Sequence, residues 1–549
     1  MTTRIANLMW KNFRGIRKLN TINSDIEFGA DIAHSVRLSK EKSGQLRSIR
    51  SSGWYKDFTT SSENVIRLFS ANFSGYGPSD QLVAFTNDGT NINVWIIYDS
   101  TFNSVKIQIA KFPLATDVTD VCMTQWGDRL GMVVAFGSSY LGFVYYSADA
   151  VIGGTQMGTS GFYYRTIDLS QTTAPIDEVT CVCPYRSRLA VNGVTTYDNN
   201  NNRESIYGVW FSEAGNLLNF TADPITSATD TSAFYVETGE KVNSLEEYHG
   251  ITAFCRNRSY NITGTSQNDI EVHELTSKGV FGNATFSVNG KCGYVDSWSN
   301  NIFTLRDNID GTIGFDDPIG DDIQDYLADV EDVTINVIGR RIRLLKTSGQ
   351  SLVYDLDVGE WTEEFFLENA RAVTFLNQEY FCCGTKDIYT ISDIWSVGAQ
   401  QTPDDNGYYS HYRTNLIWLD SQSSVKSHLY PFAVILEPQT TNDFFIKFTT
   451  DRGESFQGRV TKAGFSNVAT YSNDDNVPED GSQFVTDDDD TSGRVFFAMS
   501  QTELLVTVDR PPFWRYLQID IYTTSASQQF NISGIEAKNT TITDEMLDY

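Results

Sequence analysis

Short apolar runs rich in Val, Ile, Tyr, Phe, Trp and Thr recur along almost the whole chain, each bounded by Gly, Asn, Asp or Ser, while stretches of 3.6-residue periodicity are nearly absent. This pattern predicts antiparallel sheet. In the segment from Gln81 to Tyr98, Asn87-Asp88-Gly89 separates two strand-like halves, and from Gly131 to Ser147 the break falls at Gly137-Ser138-Ser139. Both segments read as β-hairpins.

The same kind of unit returns at roughly 64–112, 117–148, 177–220, 240–263, 283–315, 332–366 and 370–393. Each is about the length of a four-stranded propeller blade or part of one, and a closed ring of blades removes the exposed sheet edges that six or seven separate meanders would leave. The predicted fold class is therefore all-β: a β-propeller-like domain of six or seven meander units over 61–400. Two or three stacked sandwiches remain the alternative, because meanders build those as well. Arg188-Leu189-Ala190-Val191 followed by Ile206 to Ser212 is a representative strand pair, with a later analogue in Arg341 to Leu345, Ser351 to Leu356 and Trp361.

From Asp404 the texture changes to longer strands, such as Phe432 to Leu436 and Phe444 to Phe448, followed by an acidic stretch from Asn473 to Asp490. This predicts a C-terminal β-sandwich-like domain over 404–549, reached through a linker at Gln400 to Gly407 that carries Pro403 and two acidic residues. The first 60 residues are set apart by charge. Arg14, Arg17, Lys18, Arg37, Lys40, Arg47 and Arg50 make a basic end on an acidic chain, which is read as a docking segment over 1–60 for an acidic neighbouring surface.

Composition narrows the function classes. With 41 Lys and Arg against 70 Asp and Glu in 549 residues, the net charge of −29 argues against a protein that grips nucleic acid by neutralising phosphates. No run approaches the length of a membrane span, and no signal-like apolar core follows Met1, so no membrane span and synthesis in the cytosol are expected. The seven Cys (122, 181, 183, 255, 292, 382 and 383) sit in apolar, strand-like contexts without C-x-x-C spacing, the profile of buried reduced thiols rather than of a zinc site.

Candidate chemistry is sparse. Asp487 to Asp490, backed by Asp474, Asp475, Glu479 and Asp480, lacks EF-hand spacing and reads as a solvated loop. Thr449 to Phe456 resembles an Asp-box turn, a fold-stabilising hairpin. The five His (34, 249, 273, 411 and 428) form no metal-binding or catalytic motif, and neither a G-x-S-x-G elbow nor a P-loop occurs. No enzyme, no cofactor and no metal are expected.

Several stretches resemble a known family. Asn12-Phe13-Arg14-Gly15-Ile16 followed by Ser43 to Ser48 is similar to its opening. Arg188 to Gly193, leading to Val209 to Asn216 and Asn219-Phe220-Thr221, is similar to a strand pair that ends in a glycine turn. Val242 to Leu245, Ile251 to Phe254, Ser259 to Gly264, Gly290 and Ile302 to Leu305 follow in the order that family shows. The family is that of the β-propeller nozzle proteins of short-tailed bacteriophages, which includes the tail-tube proteins of the T7-like group and the packaged-DNA stabilisation proteins of the P22-like group. The resemblance implies a virion structural protein: a homo-oligomeric ring, typically of six copies, below a portal-adaptor ring, beside tail fibre or spike proteins. It would enclose transiting double-stranded DNA without sequence-specific binding. An acidic surface suits a channel through which DNA must slide. Two alternatives stay open at this point: a receptor- or carbohydrate-binding tail propeller, and a tail-associated glycosidase.

Overall fold

The computed structural model describes most of residues 63–390, together with individual strands between 3 and 57 and between 404 and 544. Strands dominate, and the described helical turns are confined to short pieces such as Leu169–Gln171 and the Asp321–Ile323 and Gln324–Leu327 pair.

Both predicted hairpins are present: Gln81–Asn87 pairs antiparallel with Ile92–Ile97, and Met132–Ala135 with Tyr140–Tyr146. Each belongs to a blade. The first blade is Asn64–Ala71, Gln81–Asn87, Ile92–Ile97 and Lys106–Phe112. The second runs from Cys122–Gln125 to Phe162–Asp168, with Thr155–Gln156 added at its edge. The third runs from Val182–Tyr185 to Phe234–Glu237, the fourth from Val242–Glu247 to Glu271–Thr276 and the fifth from Val280–Val288 to Ile313–Phe315. The sixth contains Arg371–Phe375, Gln378–Cys382 and Asp387–Thr390, and its outer strand is Gly53–Asp57 from the other end of the unit.

These six sheets form a six-bladed β-propeller, with the hairpin of Val333–Ile338 and Arg341–Lys346 lodged between the fifth and sixth. The leading strand of the sixth blade packs on that of the first, so the ring closes. The closure is clasped by sequence-distant pairing, with Asp387 opposite Asp57 and Ile388 opposite Lys56. Such a clasp ties the two ends of the ring together through backbone hydrogen bonds, with Gly53–Asp57 as the outermost strand of the last blade.

The core lies between blades. Phe85, Val94 and Phe112 of the first blade pack with Val134 and Phe162 of the second, Val133 and Phe143 of the second with Leu189 and Trp210 of the third, and Phe211 of the third with Ile251 and Cys255 of the fourth. Leu68 and Leu82 meet Tyr380 and Ile388 at the closure. Because each inner sheet is covered on both faces, its strands are apolar throughout rather than alternating, as in the wholly buried Met132–Ala135 and Ile251–Cys255. Two glycines mark how tightly the strands turn. Gly131 and Gly250 stand just before the second strand of their blades with φ of 88° and 135°. A Cβ there would lie 2.2 Å from the Val144 carbonyl oxygen or 2.3 Å from that of Ile262.

The compact units do not follow the linear division expected from sequence (1–60, 61–400 and 404–549). One unit is 53–349 with 367–391, which is the propeller; the other gathers 1–52, 350–366 and 392–549. The reason is pairing between distant segments. Thr3–Trp10 lies against Asn531–Asp544, and Phe28–His34 stands between Glu360–Phe365 and Ser410–Thr414. In this second unit one sheet runs Gln350–Asp355, Glu360–Phe365, Phe28–His34, Ser410–Thr414, Tyr516–Thr523, Asn442–Thr450 and Ser455–Lys462. Another is built around Asn531–Asp544, which pairs with Thr3–Trp10, Gln45–Ser48, Val425–His428 and Phe432–Leu436. The strands on either side of the Asp-box-like segment, Asn442–Thr450 and Ser455–Lys462, pair antiparallel with Thr449 opposite Ser455, while 451–454 lie outside the described residues. The acidic stretch 473–490 lies outside the described residues.

Candidate functional site

The inner strands of the propeller surround a cavity of about 780 Å³. Residues from the inner strand of every blade line it, because those strands converge on the ring axis. Arg67 comes from the first blade, Asp120 and Cys122 from the second, Cys181 and Cys183 from the third, Glu246 from the fourth, Thr285 from the fifth and Arg371 from the sixth.

One wall carries a charge cluster. The Asp120 carboxylate accepts from Arg371 Nη1 at 2.6 Å and lies 3.7 Å from Arg67 Nη1; its other oxygen accepts the Val121 amide at 2.8 Å. Elsewhere the half-buried Glu246 accepts from Thr285 Oγ1 at 2.6 Å, and Thr285 also meets Ser244 Oγ at 2.7 Å. Burial pushes the Glu246 carboxyl above its ordinary range, and the Thr285 bond only partly offsets this. Lys241 is engaged outward, 2.6 Å from Glu178.

The cysteines around this cavity are poor nucleophiles. Burial pushes Cys122 to about 11 despite nearby Arg67, and it pushes Cys181 and Cys183 higher still, so all three are thiols at neutral pH. Cys181 donates to the Asn243 carbonyl at 2.9 Å. The seven cysteines are unpaired, five of them buried. Among the described residues no group of three or more His, Cys, Asp or Glu is placed to hold a metal ion, and no helix is long and apolar enough to cross a membrane. The arrangement is equipped to bind by charge and hydrogen bonding.

The docking residues expected from sequence are placed unevenly. Arg14 Nη1 bonds Glu360 at 3.2 Å, and the Arg14 backbone exchanges hydrogen bonds with the Tyr412 hydroxyl. This residue is therefore used inside its own unit. Arg37 stands opposite Arg47 where Val36–Ser39 pairs with Gln45–Ser48, and Arg17, Lys18, Lys40 and Arg50 lie outside the described residues.

Sequence reasoning missed two charge clusters. In the expected linker, Asp404 accepts from His411 Nδ1 at 2.7 Å; His411 Nε2 meets Asp520 at 2.9 Å, and Arg413 donates to the same carboxylate at 2.6 Å. Burial disfavours charge on all three groups, yet mutual hydrogen bonding wins: His411 is raised above its ordinary value, Asp404 is held down at about 2 and Asp520 is lowered. In the propeller, Arg343 forks onto Glu379 through Nε and Nη2, both at 2.9 Å, with both side chains 2% exposed. A run such as Arg341-Ile342-Arg343-Leu344 signals only alternation; the partner 36 residues away has no local signature.

No protein-family model and no curated protein matches the chain. Among solved structures, the CNH domain of AfRom2 is similar with a TM-score of 0.36 and 12% identity, covering 64% of this chain and 100% of that one. The C-terminal WD40 domain of Sif2 is similar with a TM-score of 0.33 and 11% identity, covering 63% and 99%.

Proposed function

We propose that this protein is a structural subunit of a short bacteriophage tail, a nozzle component that works by shape and charge and catalyses no reaction. One observation carries the reading. The motifs that resemble the nozzle family fall in order on consecutive blades: Arg188 to Phe211 on the third, Val242 to Thr263 on the fourth and Ile302 to Leu305 on the fifth.

A clasped propeller is a suitable element for such a wall, since pairing of Gly53–Asp57 with Asp387–Thr390 ties the first and last segments of the ring together. The net charge of −29 keeps a passing duplex from adhering. Several copies assemble as a ring on a portal adaptor, the basic N-terminal positions Arg37 and Arg47 meeting an acidic surface of a neighbour or of the adaptor.

Electron microscopy of the purified full chain, alone and with the adaptor of the same virion, tests this. Rings with a central hole wide enough for duplex DNA are the expected result. A monomer that never assembles on the adaptor and that cleaves or binds capsule or cell-wall glycans would overturn it.

A further inference from the structure

The axial cavity holds an arginine whose bonding capacity is unused. A guanidinium carries five N–H donors in a rigid fork, yet Nε and Nη1 of Arg67 are buried and make no hydrogen bond among the described residues. Its ion pair with Asp120 spans 3.7 Å, too long for a hydrogen bond. Asp120 is already committed to Arg371 at 2.6 Å and to the Val121 amide. Two guanidinium groups thus face one carboxylate on this wall, an excess of one positive charge in a chain whose total is −29.

The other charged groups around the cavity do not cancel that excess. Lys241 is paired with Glu178, Glu246 is bonded to Thr285 and driven toward its neutral form by burial, and Glu247 is exposed at the end of Val242–Glu247. Leaving buried donors without acceptors is costly, and an anionic acceptor relieves more of that cost than a neutral one.

We propose that the axial cavity is a binding site for a small oxyanion, phosphate-like or carboxylate-like, held by Arg67 with Arg371 beside it. The cavity is large enough to take the oxyanion as the head of a larger solute. The site is independent of the tail assignment, since it belongs to a single propeller.

Thermal unfolding and isothermal titration of the full chain with inorganic phosphate, sulfate and acetate, each matched in ionic strength with chloride, test it. Saturable stabilisation by at least one of the three, above chloride, is expected, and the ranking separates tetrahedral from planar anions. Arg67→Gln should weaken binding about tenfold or more. Asp120→Asn should strengthen it, because it removes the competing carboxylate while leaving both arginines. That opposite sign keeps the test decisive even where Arg67→Gln fails to fold. Stabilisation no greater than that by chloride, or Asp120→Asn binding more weakly than the native chain, would overturn the proposal.

Discussion

The propeller contains two arginine–carboxylate clusters with the same ingredients and opposite characters. Arg343 and Glu379 sit deep in the protein, joined by two 2.9 Å bonds, with Asn336 completing the carboxylate at 2.9 Å and the Phe381 ring 5.5 Å from the guanidinium carbon. Arg67, Asp120 and Arg371 stand at the axis, 15 to 35% exposed, with one short bond, one long one and spare donors. A saturated cluster holds a fold in register and has nothing left to offer a ligand. An unsaturated one contributes little to stability, and its remaining valence is what a binding site uses.

The largest effect should come from breaking the saturated pair. Arg343→Ala leaves Glu379 as an uncompensated buried charge and should cost about 3–5 kcal/mol, read as a shift in the denaturant midpoint of the propeller transition. Replacing both partners by apolar residues (Arg343→Met with Glu379→Leu) should recover most of that loss. A double variant as unstable as the single one would mean that the pair is more than a desolvated charge problem.

A pH titration of stability examines a third cluster, His411 with Asp404, Asp520 and Arg413, flanked by the Tyr408 and Tyr522 rings. His411 is raised from 6.5 in the folded chain, so its contribution is complete below pH 6.5 and disappears as pH climbs through the raised value. Asp404 is lowered from 3.8 to about 2, so its contribution of about 2 kcal/mol is present above pH 3.8 and is lost as pH falls toward 2. Stability of the second unit should therefore be greatest between those limits. His411→Gln should flatten the alkaline limb; an unchanged limb would assign it to other groups.

The smallest effect is expected at the axis. Arg371→Gln removes a pair whose side chains are 25 and 35% exposed, and solvent screening should hold the loss in thermal stability below about 1 kcal/mol. A loss comparable with that of Arg343→Ala would collapse the distinction between closed and open clusters.

Much of the blade architecture was legible beforehand, because hairpins are local. Asn87-Asp88-Gly89 announces its turn through chemistry that the structure shows in full: Asp88 accepts the Thr90 and Asn91 amides at 2.8 and 2.6 Å, and Asn87 caps Gly89 at 2.8 Å. The candidate site was not legible. Arg67, Asp120 and Arg371 lie on three blades, 251 residues separating the two that bond most closely, and nothing near any of them in sequence sets it apart from other charged residues on strands. The same limit applies to Asp404, which reads as a linker residue until His411 and Asp520 enclose it.

Strand content and hairpin positions were settled by the sequence alone, since each depends on alternation and turn chemistry within a few neighbouring residues. Tertiary structure decided the rest: that Gly53–Asp57 closes the ring from the far end of the unit, that Thr3–Trp10 belongs with Asn531–Asp544, and which charges end saturated or spare. Those outcomes rest on pairings between segments that lie from tens to hundreds of residues apart. Side-chain packing and desolvation select such pairings only once the whole chain has folded.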